Sequence, residues 1–175
     1  FYDGLGGVSE RSSAWEVADL TDTPVILLVD MMGRSLSALA SIKGFLDYKE
    51  KSHVTGVVFN RLSPMLYPGL KERAERELGI RVFGYVPELK DLTLKSRHLG
   101  LVMPEEILGI RERLDLIKEK VRVEINLDGI IEEAGRAAEI EVKLPEAVRQ
   151  FYNVDCGTGI KKTVVAVAKD EAFCF

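Results

Sequence analysis

Three apolar stretches, each followed by a polar residue or a proline and then by a helical pattern, constrain the fold most strongly. They occupy residues 25–29, 54–59 and 81–86. A strand that is apolar at consecutive positions is typical of a parallel sheet covered on both faces, because neither face of such a sheet meets water. Strands that alternate with helices of ten or more residues favour the same architecture. The sequence therefore predicts an α/β fold with a partial parallel sheet and flanking helices.

Helix-boundary signals fit this pattern. Ser13 and Glu16 form a capping-box pattern ahead of a short helix over residues 14–20. A second helix follows the first strand and ends near Lys49, and a third, over residues 68–78, has Pro68 at its start and Gly79 after its end. Ligands of parallel α/β sheets bind beyond the carboxyl ends of the strands, so these ends are the default binding site. Its residues are Asp30, Asn60, Arg61, Pro87 and Glu88.

Two more helices are predicted beyond the third strand. One begins at Pro104 and carries an apolar stripe from Ile107 to Val121, and the other, over residues 129–138, is capped by Asp128. At about two heptads the stripe is short for a coiled coil, which favours packing on the sheet over a homodimer. We predict a first domain over residues 1–138, a linker over residues 139–162, and the first strand of a second domain over residues 163–175.

Composition excludes several classes of protein. The 175 residues are 46% hydrophobic and 30% charged, which suits one buried core with a polar exterior. A net charge of −4 with interleaved Lys and Glu argues against a nucleic-acid partner. No apolar run approaches the roughly 18 residues of a membrane span, and no signal peptide opens the sequence. Two cysteines make no disulfide framework, so a cytoplasmic location is expected.

Two motifs in the predicted linker do not carry chemistry. The stretch GTGIKKT at residues 157–163 resembles a phosphate-binding loop (P-loop), but Lys161 stands where the motif requires glycine. It also precedes a strand instead of joining a strand to a helix. Cys156 followed by glycine resembles a glutaminase nucleophile, yet neither His53 nor His98 lies in a pattern that would pair with it.

Six short motifs occur together and in order along the chain. They are FYDG at residues 1–4, SS at 12–13, VVFNR at 57–61, GYVPEL at 84–89, RHLGLV at 97–102 and KDEAFCF at 169–175. With these motifs the sequence resembles the cobyrinic acid a,c-diamide synthase family, whose members make amides on a corrin ring. The resemblance covers residues 1–107 and 164–175.

The resemblance implies a two-domain enzyme with a dethiobiotin-synthetase-like P-loop NTPase domain and a glutaminase domain. Such an enzyme uses ATP and Mg²⁺ to phosphorylate the a and c carboxylates of cobyrinate, and ammonia from glutamine then displaces the phosphate. The family's P-loop and metal-binding glutamate precede the position of FYDG. The chain is therefore expected to be the latter part of the ATPase domain, without the P-loop. We expect it to be inactive alone and to bind ATP very weakly or not at all.

The resemblance also assigns roles to residues, with no metal ligand among them. Asp3 is the candidate catalytic residue, beside the transferring phosphate, although a turn aspartate would look the same. The candidate nucleotide-binding residues are Asn60, Arg61 and Pro87, and the candidate substrate-binding residues are Ser12, Ser13, Arg97 and His98. Ser13 could equally be only a helix cap, and Arg97 only a partner in a loop salt bridge.

Other functions remain open on the sequence. The same chemistry could act on hydrogenobyrinate or nickel-sirohydrochlorin. A partitioning or scaffold ATPase of the same fold would bind partners instead of making amides. A third possibility is a binding module without catalysis that uses the stripe from Ile107 to Val121 as its contact surface.

Overall fold

A computed structural model describes residues 1–89 and 109–140 of the chain. Its elements are a 3₁₀ turn at Leu5–Gly7, α1 (Ala14–Thr21), β1 (Val25–Asp30), α2 (Leu36–Asp47), β2 (Val54–Asn60), α3 (Tyr67–Leu78), β3 (Arg81–Val86), α4 (Ile110–Glu124) and α5 (Leu127–Ala134). The chain divides into two compact units, Phe1–Ala138 and Glu139–Phe175. Nearly all of the predicted linker, and the whole predicted strand at residues 163–175, lie outside the described residues.

The three strands form one parallel sheet in the order β1-β2-β3. The register pairs Asp30 with Asn60, and Asn60 with Val86, so the carboxyl ends of the strands lie side by side. The predicted α/β class, with a parallel sheet and flanking helices, is confirmed. The predicted third strand has the observed bounds, and the first two each extend one residue further than predicted. The P-loop NTPase type of the fold stays a prediction.

The larger core lies between the sheet and the helices α2 and α3. Its fully buried residues include Ile42 of α2, Ala74 of α3 and Phe59 of β2. A smaller core contains Val58, Phe83 and Ile125. Because Val58 and Phe59 are consecutive in β2, their side chains point to opposite faces of the sheet. The two cores therefore cover the two faces.

Within the described residues, the second face is covered only in part at β1, where Ile26 packs against the smaller core. The helices α4 and α5 contact β3, where the Asn126 N–H donates to the Phe83 carbonyl at 2.7 Å. Leu28 in the middle of β1 stays 68% exposed. The expectation that every strand is covered on both faces is therefore wrong for β1 within the described residues. An apolar run alone cannot show where the flanking helices stop.

The later helices depart from their predicted bounds. α5 begins at Leu127, and its cap is Asn126, whose side chain accepts from the Gly129 N–H at 2.9 Å. The prediction of Asp128 as the cap is therefore wrong. α4 is described from Ile110, and residues 104–108 lie outside the described range. Its apolar stripe packs on the sheet at Val121, whereas Leu114 is 55% exposed, so the predicted packing holds only near the end of α4.

Helix α1 begins as its capping pattern predicts. The Ser13 hydroxyl, in a residue only 2% exposed, accepts from the Glu16 N–H at 3.1 Å. The Glu16 side chain reaches back to the Ser12 N–H at 2.5 Å, one residue earlier than in the usual reciprocal arrangement. Both bonds satisfy backbone donors at the helix start that have no partner inside the helix.

We expect Ser13→Ala to lower the free energy of unfolding by about 1 kcal/mol, because it removes the acceptor of the cap. Ser12→Ala is the matched control, since Ser12 is exposed and its contact to Glu16 uses the backbone. Its effect should stay within about 0.5 kcal/mol. Urea denaturation measures both variants. Equal losses for the two variants would contradict a capping role for Ser13.

Candidate functional site

A cavity of about 550 Å³ lies at the carboxyl ends of the strands, where ligands of parallel α/β sheets bind. It is lined by Met31, Met32, Gly33, Arg34, Ser35, Arg61, Leu62, Ser63, Pro64, Leu66, Pro87 and Glu88. We call it the strand-end cavity. Two of the three predicted nucleotide-binding residues, Arg61 and Pro87, line it. The third, Asn60, is partly buried at the same edge, paired with Asp30 and Val86.

Asp30 and Arg61 form an ion pair across the ends of β1 and β2. The Arg61 guanidinium donates from Nε to Asp30 Oδ1 at 2.8 Å and from Nη2 to Asp30 Oδ2. Asp30 Oδ1 also accepts from the Met32 N–H at 3.1 Å. The bonds from Arg61, and then the bond from the Met32 N–H, hold the pKa of Asp30 below its ordinary value. The hydrogen bond to Asp30 raises the pKa of Arg61. The contribution of so exposed a pair to stability is small.

The backbone around this pair is fixed by hydrogen bonds. Arg61 has a left-handed conformation, with φ of 56°, which is uncommon for a residue other than glycine. The Met31 N–H donates to the Asn60 carbonyl at 2.8 Å, and the Leu62 N–H donates to the Val86 carbonyl at 3.1 Å. These bonds hold the chain immediately after β1 and β2, so the side chain of Asp30 meets that of Arg61, which lines the strand-end cavity.

Two helices begin at the strand-end cavity. Ser35 at the start of α2 and Leu66 at the start of α3 both line it. Neither residue makes a side-chain cap hydrogen bond to its helix. Free backbone N–H groups and the helix dipole give a helix start a partial positive charge. The cavity therefore has two sources of positive potential besides its arginines.

A second cavity, of about 810 Å³, lies between the N-terminal segment and the later half of α2. It is lined by Tyr2, Asp3, Gly7, Val8, Ser9, Glu10, Ser41, Gly44, Phe45 and Tyr48. We call it the aromatic cavity. The ring of Tyr2 lies 4.8 Å from that of Tyr48 and is stacked 6.0 Å from that of Phe45. The Tyr2 hydroxyl donates to the Phe45 carbonyl at 2.6 Å, and burial is the main cause that raises the pKa of Tyr2.

The two cavities lie towards opposite ends of α2. Residues 31–35, which precede α2, line the strand-end cavity, whereas Gly44, Phe45 and Tyr48 line the aromatic cavity. A helix of 12 residues, as α2 is, is about 18 Å long. The structure therefore brings Arg61 and Pro87 together but places Asp3 elsewhere.

The predicted substrate-binding residues are distributed differently again. Ser13 is buried as the cap of α1, and Ser12 is exposed with φ of 65°. Neither serine lines the strand-end cavity or the aromatic cavity. Arg97 and His98 lie outside the described residues. Within residues 1–89 and 109–140, no group of three acidic, histidine or cysteine side chains could hold a metal ion. In the same ranges no helix is long and apolar enough to span a bilayer.

Comparison with known proteins identifies relatives along nearly the whole chain. The chain is 31% identical over 176 residues to the cobyrinate a,c-diamide synthase of Clostridium acetobutylicum, which covers 99% of the chain and 37% of the relative. It is 34% identical over 175 residues to the protein of that name from Caldanaerobacter subterraneus, covering 99% of the chain and 36% of the relative. By sequence, the chain is similar to a segment of cobyrinate a,c-diamide synthases.

A third relative is named for a different substrate, hydrogenobyrinate. The hydrogenobyrinate a,c-diamide synthase of Rhodobacter capsulatus is 33% identical over 136 residues, which covers 77% of the chain and 31% of the relative. No family model and no solved structure matches the chain. The chain thus spans little more than a third of the length of the cobyrinate a,c-diamide synthases it matches. The resemblance inferred from the six short motifs is confirmed.

Sequence reasoning placed Asp30 at the default binding site but missed its pairing with Arg61. Asp30 is recognisable in the sequence as the polar residue that ends the first strand, but nothing local marks it as the partner of Arg61, 31 positions away. The NR pair in the VVFNR motif of the cobyrinate a,c-diamide synthase resemblance pointed to Arg61 as a nucleotide-binding residue. The structure shows that Asp30 already binds the guanidinium.

Proposed function

We propose that the chain is part of an ATP-dependent enzyme that amidates the a and c carboxylates of cobyrinate, with glutamine as the source of ammonia. The observation that carries this proposal is the identity of 31–34% to cobyrinate a,c-diamide synthases over 99% of the chain. Because the chain spans only 36–37% of those relatives, the activity belongs to a longer polypeptide. The chain itself would supply part of the nucleotide and substrate sites.

The chemistry needs activation of a carboxylate. A carboxylate is a poor acyl donor, so the γ-phosphoryl group of ATP is transferred to its oxygen, giving an acyl phosphate and ADP. Ammonia then attacks the carbonyl carbon, the bond from that carbon to the phosphate oxygen breaks, and inorganic phosphate leaves. Magnesium commonly offsets charge in such a transfer. The described residues lack a suitable cluster of ligands, so we assign no step to them through Mg²⁺.

We assign the base end of the nucleotide to the strand-end cavity. Its volume of about 550 Å³ falls within the range of small-molecule sites, about 300–1,000 Å³. Asn60 at the edge of the sheet carries an amide that can both donate to and accept from a base. Pro87 offers a backbone carbonyl and no N–H, and Arg61 closes the cavity on the side of β1.

We assign the carboxylate-bearing substrate to the side of Asp3. Asp3 lines a cavity of about 810 Å³ whose other walls include the rings of Tyr2, Phe45 and Tyr48. Flat aromatic walls suit contact with an extended ring system. Asp3 would orient the substrate carboxylate or the acyl phosphate, and Ser12, Arg97 and His98 would contact the periphery of the substrate. The separation of Asp3 from Arg61 is consistent with two different ligands.

Hydrogenobyrinate is a second candidate substrate. The observation that favours it is the identity of 33% to the hydrogenobyrinate a,c-diamide synthase of Rhodobacter capsulatus, over 77% of the chain. The two substrates differ in the metal of the ring, and the carboxylates to be amidated are the same. Parallel assays with both rings separate the two candidates.

A chimeric enzyme tests the proposed function. The matching segment of the Clostridium acetobutylicum synthase is replaced by this chain, and diamide formation from cobyrinate, ATP and glutamine is followed by chromatography and mass spectrometry. We expect turnover that needs both ATP and glutamine. Asp3→Asn should lower kcat by about 100-fold, the scale of losses that follow misplacement of a reacting group.

Asp115→Asn in the same chimera is the matched control, because Asp115 is exposed on α4, and we expect its kcat to be unchanged. A folded chimera that forms no diamide from either ring would contradict the proposed function. An Asp3→Asn chimera with full activity would contradict only the role of Asp3.

A further inference from the structure

We propose that Asp30 sets the ligand specificity of the strand-end cavity: by occupying the guanidinium of Arg61, it makes the cavity reject phosphate and accept an uncharged group such as a nucleobase. The choice of a nucleotide as the ligand rests on the proposed function. The rejection of phosphate rests only on the geometry of the described residues.

Without Asp30, the strand-end cavity would have the features of an anion site. Arg34 and Arg61 line it, and the starts of α2 and α3 meet there at Ser35 and Leu66. Helix starts bind phosphate through free backbone N–H groups, and arginine binds it through paired N–H donors. Among the lining residues that the structure describes, Glu88 is the only acid, and it is exposed. Two arginines and two helix starts therefore face one exposed carboxylate.

Asp30 changes this balance by holding the donors of Arg61. The Nε and Nη2 groups of Arg61, which form one edge of the guanidinium, both donate to the Asp30 carboxylate. A third nitrogen, Nη1, lies 3.4 Å from the sulfur of Met32. A phosphate that approached Arg61 would have to displace the carboxylate, whose negative charge would remain nearby and repel it. An uncharged base meets no such repulsion.

The sheet register keeps Asp30 in this position. Asp30 and Asn60 are paired residues at the ends of β1 and β2, and the next residue, Arg61, turns back through its left-handed backbone. The Met32 N–H, which also donates to Asp30 Oδ1, adds a backbone hydrogen bond that holds the carboxylate. Asp30 is thus a positioning residue that acts on the ligand through Arg61.

Phosphate binding by the chain tests this role. Inorganic phosphate is titrated into the isotope-labelled chain, and the NMR signals of the Arg61 side-chain Nε–H and of the amides at the start of α2 are followed. For the native sequence we expect no saturable shift up to millimolar phosphate. Asp30→Asn should create saturable binding that is at least about tenfold tighter than any binding by the native chain. The reason is that the charge-assisted bonds of the guanidinium become available to the anion.

Three further variants sharpen the outcome. Asp30→Glu keeps a carboxylate beside Arg61 and should still reject phosphate. Asp30→Ser, which also removes the charge, should show the same gain as Asp30→Asn. The double variant Asp30→Asn with Arg61→Gln should lose the gain. Circular dichroism confirms that each variant is folded; Asp30 and Arg61 are both exposed, so their replacement leaves the core intact.

Two results would overturn the inference. One is native binding of phosphate at Arg61 as tight as that of Asp30→Asn, and the other is a gain that survives in the double variant. Failure of the proposed function would look different, because the chimeric enzyme would then form no diamide while the phosphate titration still showed the effect of Asp30. Conversely, the chimera could make the diamide while Asp30→Asn gained no phosphate binding. That result would contradict the role of Asp30 and leave the proposed function standing.

Discussion

Replacing Gly84 by alanine should lower the free energy of unfolding by about 3 kcal/mol or more, by combining backbone strain with overpacking. Gly84 lies in β3 with φ of 141°, a conformation that residues with a side chain rarely adopt. A Cβ atom built there would lie 2.1 Å from the Glu124 carbonyl oxygen and 2.9 Å from the Ile125 Cα. Because both are backbone atoms, α4 would have to move away from β3 to make room.

Gly69→Ala is the matched control for this substitution. Gly69 lies in α3, and a Cβ atom built there meets nothing within 4 Å. Alanine should stabilise the helix there by about 0.4–1 kcal/mol. Urea denaturation compares the two variants, and amide hydrogen exchange of α4 shows whether that helix has moved. A Gly84→Ala protein as stable as the native one would mean that the close approach of α4 to β3 does not exist.

Ile42→Ala should cost about 2–5 kcal/mol of stability, the range measured for truncation of large core side chains. Ile42 is 0% exposed and belongs to the core between α2 and the sheet. The loss combines the missing apolar contacts with the cavity that remains, since a core bounded by a sheet and two helices can collapse only in part. The unfolding free energy from urea denaturation gives the magnitude.

Ile131→Ala makes the same chemical change on an exposed helix face. Ile131 is 68% exposed on α5, and alanine has the higher helix propensity, so the change in stability should stay within about 0.5 kcal/mol. Similar losses for the two isoleucines would contradict the assignment of the core to the α2 side of the sheet.

The sequence predicted the sheet better than it predicted the helices that cover it. The bounds of β3 follow from its apolar run, and β1 and β2 are each within one residue of prediction. Strand patterns are local, so a short apolar run bounded by turn residues suffices. Which helix covers which strand depends on distant contacts. For that reason the exposure of Leu28 and the incomplete packing of α4 could not be seen in advance.

Local patterns predicted part of the candidate site, and contacts between distant residues decided the rest. Arg61 and Pro87 were both predicted as ligand-binding residues, and the structure puts them on one cavity because parallel strands end at one edge of a sheet. Asp3, assigned by resemblance, lines another cavity, and Asp30 was predicted at the binding edge of the sheet but not as the partner of Arg61. Proximity between residues 31 positions apart is a property of the register, which the local pattern does not encode.

By itself, the sequence determined the α/β class, the positions of three strands and the resemblance to cobyrinate a,c-diamide synthases, because each depends on patterns within a few neighbouring residues. Only the tertiary structure decided that Leu28 of β1 stays exposed, that Asp3 and Arg61 line different cavities, and that Asp30 occupies the guanidinium of Arg61. These facts depend on strand order and helix placement. Both result from packing the whole chain around its core, where many weak contacts compete and no short segment decides the outcome.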